Sequence, residues 1–252
     1  MNLDLSKIAY KKLETHPNQP WLIFLHDSLG CVELWRDFPE QLQQKTGLNV
    51  LVYDRQGYGK SPAFSYQQRG LGYMEIEATI LVQLLAYWKI EKPILFGHSD
   101  GGTIAMIFAG MFPDHVRGII TEGAHIFVEE VTLKGIQEVV EQYKTTNLKQ
   151  KLTKYHGELT NNLFWAWAST WNSPYFKNWN CLQFLPLISS PALIIQGEED
   201  EFGSLEQVHQ ALKFIGTNAS SLILPAVKHS PHKEVPDLIL ENSMNFIKKQ
   251  LL

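Results

Sequence analysis

Cysteine is scarce in this chain: two in 252 residues, Cys31 and Cys181, far apart and part of no metal-binding or redox spacing. That excludes a disulfide framework and a cysteine-ligated metal, and fits two inert thiols in a reduced, cytoplasmic protein. No apolar stretch approaches the roughly 20 residues needed to cross a bilayer. The opening Met1-Asn2-Leu3-Asp4 has neither a basic region nor an apolar core, so no signal peptide is expected. Runs of basic residues are missing too. The 22 Lys and Arg against 26 Asp and Glu leave a net charge of −4 at pH 7, which argues against nucleic acid and anionic membranes as partners. Lys248-Lys249 is a solvated pair near the end of the chain. Internal repeats and low-complexity tracts are absent. What is present, 44% hydrophobic and 19% charged residues, is the composition of a globular protein with a sizeable core. The length suits one large α/β domain or two small ones.

Short apolar runs alternate with helical periods. Residues 8–15 read as an edge strand. Trp21-Leu22-Ile23-Phe24-Leu25 is apolar without alternation, as a strand buried on both faces should be. A helix is predicted over Leu34–Lys45, a strand over Asn49–Tyr53, and a helix over Tyr73–Trp88, with Ile76, Ile80, Leu84 and Leu85 at helical spacing. A strand at 93–96 feeds an apolar helix over 103–112, and Val116–Thr121 forms the next strand. From 124 to 187 strand signals vanish, while four of the seven tryptophans appear: Trp165, Trp167, Trp171 and Trp179. The buried-strand pattern resumes at Pro191–Gln196. A helix over Leu205–Ile215, a strand over Ser221–Leu224 and a helix over Val235–Leu251 close the chain. The alternation predicts a mostly parallel sheet covered by helices on both faces. Residues 1–123 and 188–252 would form the core domain, and 124–187 an inserted helical cap.

The stretch that carries chemistry is Phe96-Gly97-His98-Ser99-Asp100-Gly101-Gly102. Gly-x-Ser-x-Gly between a buried strand and a helix is the pattern of a strained turn that pushes a serine oxygen out above a sheet. The blander reading is a glycine-rich turn whose serine caps the helix. A serine hydroxyl needs a base, and the base needs a carboxylate to orient it. Both are available in the order Ser, then acid, then His, each after a strand. Gln196-Gly197-Glu198-Glu199-Asp200-Glu201 follows one, and Val227-Lys228-His229-Ser230-Pro231-His232 follows another. Residue types, order and placement agree, which disfavours the capping reading.

With His26-Asp27-Ser28-Leu29-Gly30 and Asp54-Arg55-Gln56-Gly57-Tyr58-Gly59-Lys60-Ser61 added to these motifs, the chain resembles the α/β-hydrolase superfamily from the strand at 21–25 to its end. The Ser-Asp-Gly-Gly turn and the segment through Trp165 and Trp167 are similar to the valacyclovir-hydrolase-like branch, esterases of amino-acid esters. The resemblance implies Ser99 as nucleophile, Asp200 (by the family's Gly-x-x-Asp) rather than Glu198, Glu199 or Glu201 as acid, and His229 rather than His232 as base. It requires no metal and no organic cofactor. Lys228 stands where the family has glycine, placing a cation beside the imidazole or in water.

The oxyanion donors expected are the N–H groups of Asp100 and Ser28. Asp27 departs from the family's usual glycine. Asp27 and Asp100 together suggest a site that selects a cationic group, against the plainer reading of Asp100 at a helix N-terminus and Asp27 in water. His125, Trp165 and Trp167 are candidate pocket residues. Arg55 reads as a buried structural ion pair or a carboxylate contact. The expected partner is a small-molecule ester, and the expected oligomer a monomer or homodimer. A C–C hydrolase or menaquinone-pathway lyase with the same three residues, and a low-turnover ligand-binding protein on the same fold, are the alternatives.

Overall fold

The computed structural model describes residues 3–64 and 69–252. Among them, Tyr10–Leu13 (β1), Trp21–Leu25 (β2), Asn49–Tyr53 (β3), Ile94–His98 (β4), Gly118–Glu122 (β5), Ala192–Gly197 (β6) and Ala219–Leu224 (β7) form one sheet in the order β1-β3-β2-β4-β5-β6-β7. All pairings are parallel except that of β1 with β3. The non-alternating apolar strands have a simple cause: both faces are buried. Leu22 and Phe24 of β2 point into one hydrophobic cluster, and Ile23 and Leu25 into the other. Helix α1 (Phe38–Thr46) and the C-terminal helix pack on the first face, and helices over Tyr73–Trp88 (α2) and Asp100–Met111 (α3) on the second.

The helix expected from Leu34 is shorter. Val32–Trp35 forms a 3-10 turn, Arg36 takes φ 54°, and α1 starts at Phe38. Pro39 is the reason. It lacks an N–H and its ring clashes with a preceding turn, so a helix begins at it but does not run through it.

Between β5 and β6 the chain forms α4 (Glu130–Thr145), α5 (Leu148–His156) and α6 (Thr160–Trp171), then a 3-10 segment at Leu182–Leu187. This stretch leaves and returns at one place: Cys181 N–H donates to Ile126 O at 2.9 Å, beside a Phe127–Asn180 bridge. Helix α7 (Glu206–Ile215) links β6 to β7, and α8 (Pro231–Glu234) and α9 (Pro236–Gln250) end the chain. Because β2 and β4 to β7 are parallel, the segments 26–30, 99, 198–202 and 225–231 all emerge at the same edge of the sheet, where ligands bind in open α/β folds. No helix among the described residues is long and apolar enough to cross a membrane.

Candidate active site

Ser99 sits between β4 and α3 at φ 54°, ψ −121°, a strained conformation for a residue with a Cβ. Its N–H donates to Glu122 O at 2.8 Å, which ties the turn to β5. The flanking glycines are steric requirements. A Cβ on Gly97 would lie 2.3 Å from Gly101 O, and one on Gly101 would lie 1.9 Å from Leu25 O. Both obstacles are backbone, so neither can move aside cheaply.

Asp200, after β6, meets His229, after β7. Both carboxylate oxygens lie 2.9 Å from His229 Nδ1. Asp200 also accepts from Gln196 Nε2 at 2.7 Å and from Phe202 N–H at 2.8 Å. Desolvation works against this carboxylate, but the charge and hydrogen bond of His229, with the His125 charge and the Phe202 N–H, hold it below its ordinary value. Desolvation likewise works against a charged His229. The Asp200 carboxylate, helped by Glu201 and Asp27, outweighs it and raises the imidazole above its ordinary value. An ionised Asp200 requires the proton on Nδ1, leaving Nε2 with its lone pair. Ser99 and His229 line one cavity without a hydrogen bond between them; such contacts often close only with substrate bound. Lys228 is exposed, and the charges that move His229 most are those of Asp200, Glu201 and Asp27.

The cavity holds about 190 Å³ and is lined by Asp27, Ser28, Ser99, Asp100, His125 and His229 at its polar end. Leu29, Ile136, Val139, Trp167, Trp171 and Phe202 make the apolar wall. The N–H groups of Ser28 and Asp100 have no acceptor among the described residues. His125 reaches Phe202 O through Nε2 at 2.9 Å, and burial lowers its pKa. Both cysteines are free thiols, and burial pushes Cys31 up to about 12.

Two expectations need correction. Trp165 lines a separate outer groove with Val140 and Lys144, not the cavity. Residues 165 and 167 differ by about 200° around a helix, so they cannot share a face, whereas 167 and 171 can. The signal that would have found Trp171 is its spacing of four from Trp167 on one helix. The two carboxylates at the mouth are not free either. Asp100 is 1% exposed, accepts from Tyr73 OH at 3.1 Å and lies 4.0 Å from Arg69 Nη1. Asp27 Oδ1 accepts from Leu29 N–H at 2.7 Å, and its Oδ2 faces His98 Nδ1 at 3.2 Å. A joint preference for a cation does not follow from that geometry.

Arg55 donates to the backbone carbonyls of His26 and Asp27, at 3.3 and 3.0 Å, and so holds the loop. The reading of single motifs also missed His98, Glu122, Phe202 and Gln196. Gln196 is the last polar residue of β6, and only its bond to Asp200 gives it meaning. His232 starts α8, buried against Glu122 rather than in the cavity.

Comparison with known proteins agrees with the fold. A family model described as alpha/beta hydrolase fold matches residues 20–236. The chain is 26% identical over 251 residues to the serine hydrolase BPHL of Homo sapiens, covering 92% of this chain and 82% of that one. It is 32% identical over 152 residues to a 2-succinyl-6-hydroxy-2,4-cyclohexadiene-1-carboxylate synthase of Enterobacter sp. (strain 638), covering 60% and 53%. Among solved structures, MGS-M2, an alpha/beta hydrolase enzyme from a deep-sea metagenome library, superposes with a TM-score of 0.79 at 18% identity, over 97% and 95% of the two chains. The family match runs from just before β2 to the first residue of α9 and spans the Ser99 turn and the loops after β6 and β7, so the chain belongs to the α/β-hydrolase fold family.

Proposed function

We propose that the protein is a serine hydrolase of small carboxylic esters. Ser99 Oγ attacks the acyl carbon while His229 Nε2 takes the hydroxyl proton, and the N–H groups of Ser28 and Asp100 donate to the oxyanion. Collapse expels the alcohol, which receives its proton from His229. Water then attacks the acyl-enzyme with His229 again as base, releasing the acid and restoring Ser99. Asp200 keeps the imidazole in the right tautomer throughout. The observation that carries this reading is the Asp200–His229 contact at 2.9 Å beside a serine held at φ 54°.

The cavity supports a small substrate. An apolar void of about 150 Å³ accepts benzene, so 190 Å³ has room for a phenyl or short branched acyl group. Among the described residues no lysine or arginine lines it, which favours a neutral ester. A second reading keeps the same three residues for C–C hydrolysis or an elimination, and similarity to the synthase favours it. A substrate with several carboxylates would find no counter-charge on that lining.

A panel of aryl, alkyl and aminoacyl esters, assayed with wild type and Ser99→Ala, tests the proposal. Expected are turnover of short-acyl esters, covalent labelling of Ser99 by a fluorophosphonate, and a loss on the order of 10⁶-fold in Ser99→Ala. Full activity in that variant sinks it. Turnover of a vinylogous diketone with no ester turnover favours the second reading.

A further inference from the structure

His98 lies one residue before the nucleophile, at the end of β4, and is 2% exposed. Its Nδ1 is 3.2 Å from Asp27 Oδ2, and its Nε2 is 2.8 Å from the carbonyl oxygen of His229. A carboxylate and a carbonyl both accept, so the ring bonds both at once only when doubly protonated; burial opposes that charged form and lowers the His98 pKa, while Asp27 favours it. Both ring nitrogens are taken up by these contacts, so His98 is placed to hold loops rather than to act as a base.

What it touches matters more. Asp27 Oδ1 takes the Leu29 N–H and Asp27 O takes Arg55 Nη2, so the loop that presents the Ser28 N–H is built around this residue. The His229 carbonyl belongs to the loop that presents the base. One imidazole therefore spans the loop after β2 and the loop after β7, from the residue next to Ser99. The charged and titratable groups around it are Lys233, 4.0 Å from Asp27 Oδ2, the rings of His229 and His232 at 5.0 and 4.9 Å, and Glu122, paired with it across β4 and β5.

We propose that His98 is a positioning residue that sets the oxyanion donor and the general base in register by holding Asp27 and the His229 carbonyl together. The inference rests on the serine-hydrolase reading for its effect on rate. The Asp200 bond orients the His229 ring, and Glu201 accepts the His229 backbone N–H at 3.3 Å; the contact from His98 to the His229 carbonyl is the one of these that ties this loop to the loop after β2. A displacement of about 1 Å in such a site costs on the order of 10²-fold in rate.

Amide isosteres separate the two arms. His98→Gln carries an N–H near the place of Nε2 and keeps the bond to the His229 carbonyl. His98→Asn carries one near Nδ1 and keeps the bond to Asp27, and His98→Leu keeps neither. Expected for His98→Leu is a fall in kcat on the order of 10²-fold with KM changed by less than about threefold. His98→Gln recovers most of that loss and His98→Asn less. The His229 imidazole titration, followed by NMR, shifts in the leucine variant and returns toward wild type in the glutamine variant.

Wild-type kcat and an unmoved His229 titration in folded His98→Leu overturn the proposal. So does a glutamine variant no better than leucine. If His98→Leu does not fold, equal kcat and equal His229 titration in the two amide variants overturn it. Failure of wild type to turn over esters or to be labelled at Ser99 counts against the hydrolase reading alone, since the NMR comparison still judges the clamp.

Discussion

His229 and His232 stand three residues apart, each against a carboxylate, and they end in opposite electrostatic states. Asp200 and His229 meet at 2.9 Å, Glu122 and His232 at 2.7 Å. In the first pair the carboxylate is pulled down and the imidazole pushed up. In the second, burial raises Glu122 to about 7 and lowers His232 to about 3. Distance does not explain the contrast. Asp200 has two further donors, Gln196 and the Phe202 N–H, and its partner ring is 12% exposed at the cavity. Glu122 Oε1 has no partner, and both side chains of that pair are 3% exposed or less. Extra donors and a wet edge stabilise a separated charge; a dry pair without them prefers to be neutral. One pair is suited to moving a proton, the other to holding a fold together.

The strongest way to break the comparison is Asp200→Asn. It leaves the bond geometry nearly intact but favours the wrong His229 tautomer, so kcat should fall by roughly 10⁴-fold. The acid limb of the kcat/KM profile should also move to lower pH, because the anion that raises His229 is gone. An unchanged limb would mean that Asp200 does not set the base. Next in size is His232→Leu, which leaves Glu122 buried without its partner. Denaturant midpoints should report a loss of about 1–3 kcal/mol, while kcat stays within about threefold. A collapse of kcat comparable to that of Asp200→Asn would erase the distinction between the pairs.

The smallest effect at low pH belongs to Glu122→Gln. The folded pKa of Glu122 lies above its ordinary 4.5, so its contribution to stability is complete below about pH 4.5 and lost as pH climbs to about 7. A glutamine has no proton to lose. Relative to wild type, the variant should therefore gain stability between pH 5 and 7.5, starting from a deficit of about 1 kcal/mol or less. A gap that widens over that range would put the charge elsewhere.

Much of the site was legible because the residues that carry it are marked locally. Gly97 and Gly101 flank a serine between an apolar strand and an apolar helix, and their need for bare backbone is visible in the clash each Cβ would make. In the acidic run after β6, family pattern singled out Asp200, and it alone bonds His229 Nδ1; Glu201 instead accepts the His229 backbone N–H at 3.3 Å. Trp165 is two residues from Trp167 in sequence but lies on the opposite side of their helix, so a segment resemblance that covers both does not separate the wall of the cavity from the outer groove. His98 and Glu122 were illegible for another reason. Their partners, Asp27, the His229 carbonyl and His232, lie 71, 131 and 110 residues away, and no local pattern records such contacts.

The amino-acid sequence by itself determined the order of strands and helices, the strained serine turn and the two loops that carry an acidic run and a histidine pair, because periodicity, glycine sterics and motif order are properties of neighbouring residues; resemblance to a family singled out Asp200 and His229 within those loops. Only the tertiary structure decided which tryptophans wall the cavity, that Asp27 and Asp100 are already engaged, and that two histidines three residues apart hold their protons differently. Those outcomes depend on solvation and on partners brought in from distant strands, and burial is a property of the assembled sheet rather than of any segment.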